Sequence, residues 1–227
     1  MDNTVGSTNS NFCNFRNNKY HAYFLGLWCA DGYHRTSSIG LSNTNEDLIL
    51  KFSNFLTKLL SKDRLRLRVY HHERINPNIL LPINTSKVSH LISRKSKHTA
   101  YHIYVNSRQL LREFKKAKEE TKEFENENIG WAYLAGRFDG DGSVDKNFRN
   151  DLRIVYSTLD DANKDSEVIK SLGIKTVKIY RYRTSNTYCI YISRINSNLF
   201  LEKIYPYSSK LQKLEFVPRR DLAQVAL

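Results

Sequence analysis

Hydrophobic and polar positions change period several times along this 227-residue chain, and each change marks an element. In NEDLILKFSNFLTKLL (45–60), Leu48, Phe52, Phe55, Leu56 and Leu59 fall on one side at helical spacing, with Asn45 placed to cap the start. RLRLRVYHHER (64–74) then alternates. Leu65, Leu67 and Val69 face one way and Arg64, Arg66, Arg68 and Tyr70 the other, which predicts a half-buried strand with a basic second face. SSIGLSNTN (37–45) predicts a strand running into a turn. Further on, LRIVYSTL (152–159) predicts a strand and DANKDSEVIKSLG (161–173) a helix stopped by Gly173. TVKIYRYR (176–183) is a strand thick with Lys, Arg and Tyr, which SNT (185–187) turns into TYCIYIS.

The order of elements repeats because the sequence repeats. AYFLGLWCADG (22–32) and AYLAGRFDGDG (132–142) align at a constant offset of 110, with Ala, Tyr, Gly, Asp and Gly in place. YHIYVNSRQLLREF (101–114) echoes in YCIYISRINSNLFLE (188–202). One copy is too short to bury its own faces, and two copies paired about a pseudo-twofold axis remove that difficulty. The expected fold is α+β, with halves at 19–114 and 129–227. A polar lead-in covers 1–18, expected to be flexible, and a charged connection covers 115–128, helical and then solvated. Residues 75–99 have no counterpart in the second half; they read equally well as a passive surface loop or a DNA-contacting arm.

Small residues recur every fourth position of each copy: Ala22, Gly26 and Ala30, then Ala132, Gly136 and Gly140. On a helix these share a face, and a face of Ala and Gly admits another backbone closely. Glycine inside a helix costs about 0.5–1 kcal/mol relative to Ala, so Gly26 and Gly136 need a reason. Mutual packing of the two repeat helices supplies one. Asp31 and Asp141 then end the two helices side by side, with Gly32 and Gly142 as C-cap glycines. Two carboxylates at helix C-termini repel each other and the helix dipoles, an arrangement that makes sense around a divalent cation. A lone Asp-Gly would merely cap a turn. The duplication reverses that reading and ranks Asp141 above Asp139, whose counterpart is Cys29.

Charge narrows the partner. There are 36 Lys+Arg against 23 Asp+Glu, a net charge of +13, as expected of a polyanion binder. No apolar run is long enough to span a bilayer, and the polar start lacks the core of a signal peptide. Three scattered cysteines fit reduced thiols inside a cell, and no Cys/His spacing resembles a zinc site. An intracellular nucleic-acid binder is the expectation, with no membrane partner.

FLGLWCADG (24–32) matches loosely, and LAGRFDGDG (134–142) closely, the motif of the LAGLIDADG homing endonucleases, and the chain resembles that family from about residue 20 onward. The resemblance implies two αββαββα-type halves in a monomer, the motif helices at the centre and antiparallel strands forming a saddle for double-stranded DNA with a long target. It implies that Asp31 and Asp141 bind two or more Mg²⁺ ions, helped by backbone oxygens of Ala30 and Gly140. Mn²⁺ is expected to substitute, and Ca²⁺ to support binding only. Both strands are cut across the minor groove, leaving short 3′ overhangs. A basic residue near the end of each half assists. YPYSSKLQKLEF (205–216) offers Lys210 or Lys213, and aligning Phe216 with Phe124 sets Lys118 opposite Lys210, with Lys122 as an alternative. Asn43 and Thr158 are candidates for the water network. The DNA-facing candidates are Arg35, Ser37, Arg64, Arg66, Arg68, Tyr70 and His72 in the first half. In the second half they are Lys146, Arg149, Arg153, Lys178, Tyr180, Arg181, Tyr182 and Arg183. A rival reading is a non-cutting binder of the same fold, either an RNA maturase acting on host intron RNA or a DNA-binding regulator.

Overall fold

The computed structural model describes residues 12–71, 83, 85–93, 97–121, 124–144 and 151–214. The first half runs α1 (Lys19–Asp31), β1 (Gly32–Arg35), β2 (Ser38–Asn43), α2 (Glu46–Leu59), a 3-10 turn at Lys62–Arg64, β3 (Arg66–His71), β4 (Lys87–Ile92), β5 (Ala100–Asn106) and α3 (Arg108–Glu119). The second runs α4 (Glu127–Asp141), β6 (Gly142–Val144), β7 (Leu152–Tyr156), α5 (Leu159–Ser171), β8 (Val177–Tyr182), β9 (Thr187–Ile192), α6 (Arg194–Ile204) and α7 (Ser209–Lys213). The sheets are ordered β1-β2-β5-β3-β4 and β6-β7-β9-β8. The expected α+β architecture of two repeated halves is what the chain adopts.

The helices form where capping and periodicity place them. Asn45 caps α2 by accepting the Asp47 N–H, and Leu48, Ile49, Phe52, Phe55 and Leu56 form its buried face. α1 and α4 differ: residues 22–28 and 129–139 are buried without interruption, as expected of central helices covered on every side. The two cross on their small residues. A Cβ on Gly26 would stand 1.9 Å from the Tyr133 carbonyl oxygen, and one on Gly136 would stand 2.0 Å from that of Tyr23. The contacts are reciprocal under the shift of 110, which locates the pseudo-twofold axis at the crossing.

Several boundaries differ from the sequence pattern. Gly32 and Gly142 do not end their helices in the left-handed region. Both are extended, at φ −64° and −84°, so each chain passes straight from helix to strand. Glycine is needed there for close approach: a Cβ would lie 2.1 Å from the Trp28 carbonyl oxygen and 2.2 Å from the Phe138 ring, respectively. Gly173 does stop α5 with a left-handed φ of +93°. Residues 12–18 are docked, not loose. Cys13 and Phe15 are buried, the N–H groups of Phe12 and Cys13 donate to the Glu113 carboxylate at 3.2 and 3.1 Å, and Asn18 caps α1.

Part of 75–99 is a strand, β4, which adds a fifth member to the sheet parallel to β3. The charged connection begins as a helix, α3 extending to Glu119, and Lys118 pairs there with Asp161 of α5. β7 ends at Tyr156 and α5 begins two residues early, capped by Thr158. The hairpins explain that slip. Leu41 pairs with Gly32 and Ile154 with Gly142, so beyond the motif the offset between halves is 113, not 110.

Candidate active site and nucleic-acid interface

Both motif carboxylates sit where the two central helices end together. The position of a Cβ on Gly140 lies 2.4 Å from the Ala30 Cβ and 2.8 Å from Asp31 Oδ2, so the Asp31 carboxylate rests against the last turn of α4. Burial pushes the Asp31 carboxyl above its ordinary range, partly offset by an Asn43 hydrogen bond and by the charges of Lys210 and Arg137. Asp141 is pushed up to about 6 by burial and then by the Asp31 charge, with Arg137 and Lys210 pulling the other way. Crowded carboxylates of this kind gain from a shared cation.

The residues fit a hard divalent ion. Beside the two carboxylates, Ala30 and Gly140 lie in last helical turns, where backbone carbonyls lack intrahelical partners. Among the described residues no group of three or more His, Cys, Asp or Glu could hold a metal. Two carboxylates leave the remaining positions around a hard cation to water or ligand oxygens.

Of the three lysines, Lys210 alone joins the motif-helix end. Its Nζ donates to the carbonyls of Phe138 at 3.0 Å and Gly142 at 2.8 Å. Burial lowers its pKa, opposed by the charges of Asp139, Asp31 and Asp141. Asp139 holds it there, accepting from the Lys210 N–H at 3.2 Å, the Ser209 N–H at 2.7 Å, the Ser208 hydroxyl and the Tyr23 hydroxyl at 2.6 Å. Asp139 is thus the clasp between α4 and α7. Lys213 turns outward to Asp47 at 2.9 Å, and Lys118 is paired with Asp161 at 2.8 Å.

The sheets present aromatic and basic faces. Ladder register sets Tyr33, Gly40, Tyr104 and Arg66 in one row and Ser42, His102 and Arg68 in the next. The Arg68 guanidinium lies 4.8 Å from the Tyr104 ring centre, and that of Arg35 lies 5.8 Å from Tyr33's. His102 is held to about 4 by burial and by the charges of Arg68 and Arg35, so it is neutral on this face. In the second sheet Arg153, Tyr191 and Lys178 share a row, and Tyr180 and Tyr182 lie on the same face.

A family model described as a LAGLIDADG-like domain matches residues 18–118 and 131–205. The chain belongs to the LAGLIDADG family. Among solved structures, this LAGLIDADG protein is similar to I-DmoI in complex with DNA and Mn, at 19% identity and TM-score 0.58, over 86% of this chain and 99% of that one. For I-DmoI with DNA and Ca the values are 18%, 0.60, 87% and 97%. Full-length DUF199/WhiA from Thermatoga maritima is similar at 17% and TM-score 0.55, over 91% of this chain and 61% of that one. At these identities the likeness shows the fold. Comparison with curated proteins by sequence gives no match.

Within the LAGLIDADG frame, several expected positions move. Asn43 donates to Asp31 Oδ2 at 2.7 Å. Thr158 is not its counterpart: under the offset of 113 it corresponds to Asn45, and it caps α5 by accepting the Asp161 N–H. Tyr156 occupies the place equivalent to Asn43. Arg181 pairs across from Tyr188, which faces Tyr156, so it lies on the sheet face opposite Lys178, Tyr180 and Tyr182. Arg183 falls in the turn after β8, Ser37 in the turn between β1 and β2, and Arg64 in the 3-10 turn, donating to the Asn106 carbonyl. His72, Lys146, Arg149, Lys122 and Phe216 lie outside the described residues.

Tyr33, His102, Tyr104, Tyr191 and Arg137 are additional members of the site and its faces. For His102 and Tyr104 the signal was alternation in AYHIYVN, and for Tyr191 alternation in TYCIYI. For Arg137 it was a basic residue inside the apolar run IGWAYLAGRF.

Proposed function

We propose that this protein is a site-specific, divalent-metal-dependent endonuclease acting on double-stranded DNA. The observation that carries the reading is the convergence of Asp31 and Asp141 at the reciprocal glycine crossing of α1 and α4, with Lys210 held beside them. A net charge of +13 and two aromatic-basic sheet faces support a long DNA footprint read in the major groove. Mg²⁺ bound there supplies Lewis-acid stabilisation and an acidified water, with Mn²⁺ substituting and Ca²⁺ supporting binding without cutting. Asp31 and Asp141 hold that charge, Asn43 orients Asp31, and Lys210 places a cation where negative charge develops on the cut phosphate. The protein acts as a monomer within the cell, its two halves serving one strand each across the minor groove, and is encoded within an intron.

Substitution tests the reading. Asp31→Asn or Asp141→Asn abolishes Mg²⁺-dependent cutting of the target while leaving DNA binding in Ca²⁺ within about threefold, because neutral Asn keeps the shape and loses the metal. Full cutting by both variants contradicts the proposal. Binding without cutting by the unsubstituted protein favours the maturase or regulator reading.

A further inference from the structure

The pseudo-twofold lets each buried residue near the crossing be compared with its counterpart. In the motif helices, Arg137 corresponds to Leu27 under the offset of 110. In the following helices, Asp165 corresponds to Phe52 under the offset of 113. The first half therefore holds a fully buried apolar pair where the second holds an ion pair. Arg137 Nε lies 2.8 Å from Asp165 Oδ2, and both side chains are 3% exposed. Asp165 Oδ1 accepts the Tyr133 hydroxyl at 2.7 Å, and the guanidinium stands 4.4 Å over the Tyr156 ring.

Packing alone does not account for this pair. A buried ion pair is often no more stable than apolar residues of similar volume, and the first half is built with the apolar version. What the second half gains is a fixed cation at the active site: Arg137 and Asp141 line one cavity of about 250 Å³, together with Ala30, Cys29 and Tyr156. Tyr156 takes the place of Asn43, so the Asp141 side lacks the carboxamide that donates to Asp31.

We propose that Arg137 is a positioning residue for Asp141, so that its loss slows cutting of one DNA strand selectively. The proposal rests on the endonuclease reading above. The geometry supports it: Arg137 lies one helical turn before Asp141 on α4, and both line the same cavity.

The deciding variant transplants the first half's own pair, Arg137→Leu with Asp165→Phe. It is compared with the unsubstituted protein on a duplex labelled separately on each strand. Thermal midpoint and DNA binding in Ca²⁺ are retained, one strand's cutting rate falls by about tenfold or more, and the other's stays within about twofold. Ca²⁺ titration of the DNA complex shows weakened binding at one site, independently of turnover. Arg137→Lys, which keeps the charge but not the planar fork, slows the same strand by a smaller factor. If the double variant loses its thermal transition, Arg137→Lys decides alone. Equal slowing of both strands, or no change in either, overturns the proposal. An unsubstituted protein that cuts neither strand overturns the endonuclease reading itself.

Discussion

The two flanks of the central helix crossing share a backbone and differ in chemistry. On one flank, Tyr23 donates to Asp139, and that carboxylate gathers the start of α7 and brings Lys210 to the end of α4. On the other, Cys29 stands where Asp139 would be, Tyr133 donates to Asp165 of α5, and Arg137 supplies the cation. The offset of 110 is kept only in the motif helices α1 and α4, where glycine admits carbonyl oxygens within about 2 Å of a missing Cβ. Symmetry is enforced where no other residue fits. Around that crossing, the two halves are free to diverge, and they reach a buried carboxylate-and-cation arrangement by separate routes.

The largest effect comes from breaking the shared part. Gly26→Ala or Gly136→Ala forces a Cβ into a facing carbonyl and lowers stability by about 3 kcal/mol or more, read as a drop in the urea midpoint. Gly173→Ala, strained at φ +93° but with open space around it, costs about 1 kcal/mol. Equal effects at these positions would show that close packing at the crossing does not decide the fold.

Next come the lysines. Lys210→Met lowers cutting about 100-fold, whereas Lys213→Met and Lys118→Met change it by less than about threefold, since Lys213 pairs with the exposed Asp47 and Lys118 is held by Asp161 of α5. Strand-resolved rates for Asp139→Asn follow those of Lys210→Met, because that carboxylate sets where Lys210 stands.

The pH dependence is smaller and has a definite sign. Asp141, at about 6, lies above its ordinary range, so its ionisation opposes folding. Without metal, the fold loses stability as pH rises from about 4 through about 6. Asp141→Asn is therefore more stable than the unsubstituted protein at pH 8, by about 1–2 kcal/mol after allowance for partial exposure, and no more stable at pH 3. Denaturant melts at the two pH values check this, and divalent affinity falls below about pH 6 for the same reason. Asn43→Ala has the smallest effect, slowing the strand served by Asp31 a few-fold through loss of one hydrogen bond.

How much was legible follows from what each residue depends on. The motif helices, α2 and the alternating part of β3 were readable because their period and caps are local. The α1–α4 crossing was readable because it is written twice. The Thr158 assignment slipped because a longer hairpin in the second half changes the offset to 113, and only strand pairing shows that. Arg181 was assigned from composition, though alternation alone turns it to the opposite face. β4 was hidden because its register comes from β3, not from its own pattern. The ion pair of Arg137 with Asp165 joins residues far apart in sequence, so its partner could not be read from the chain.

Selection of cut sequences from a randomised duplex library tests the central claim most directly. With Mg²⁺, the unsubstituted protein is expected to yield one long recurrent target cut on both strands, with short 3′ overhangs. Parallel selections with Ca²⁺, or with both aspartates changed to Asn, return none. A target cut equally well by the double Asp→Asn variant, or no cut sequence from the unsubstituted protein in Mg²⁺, contradicts the account.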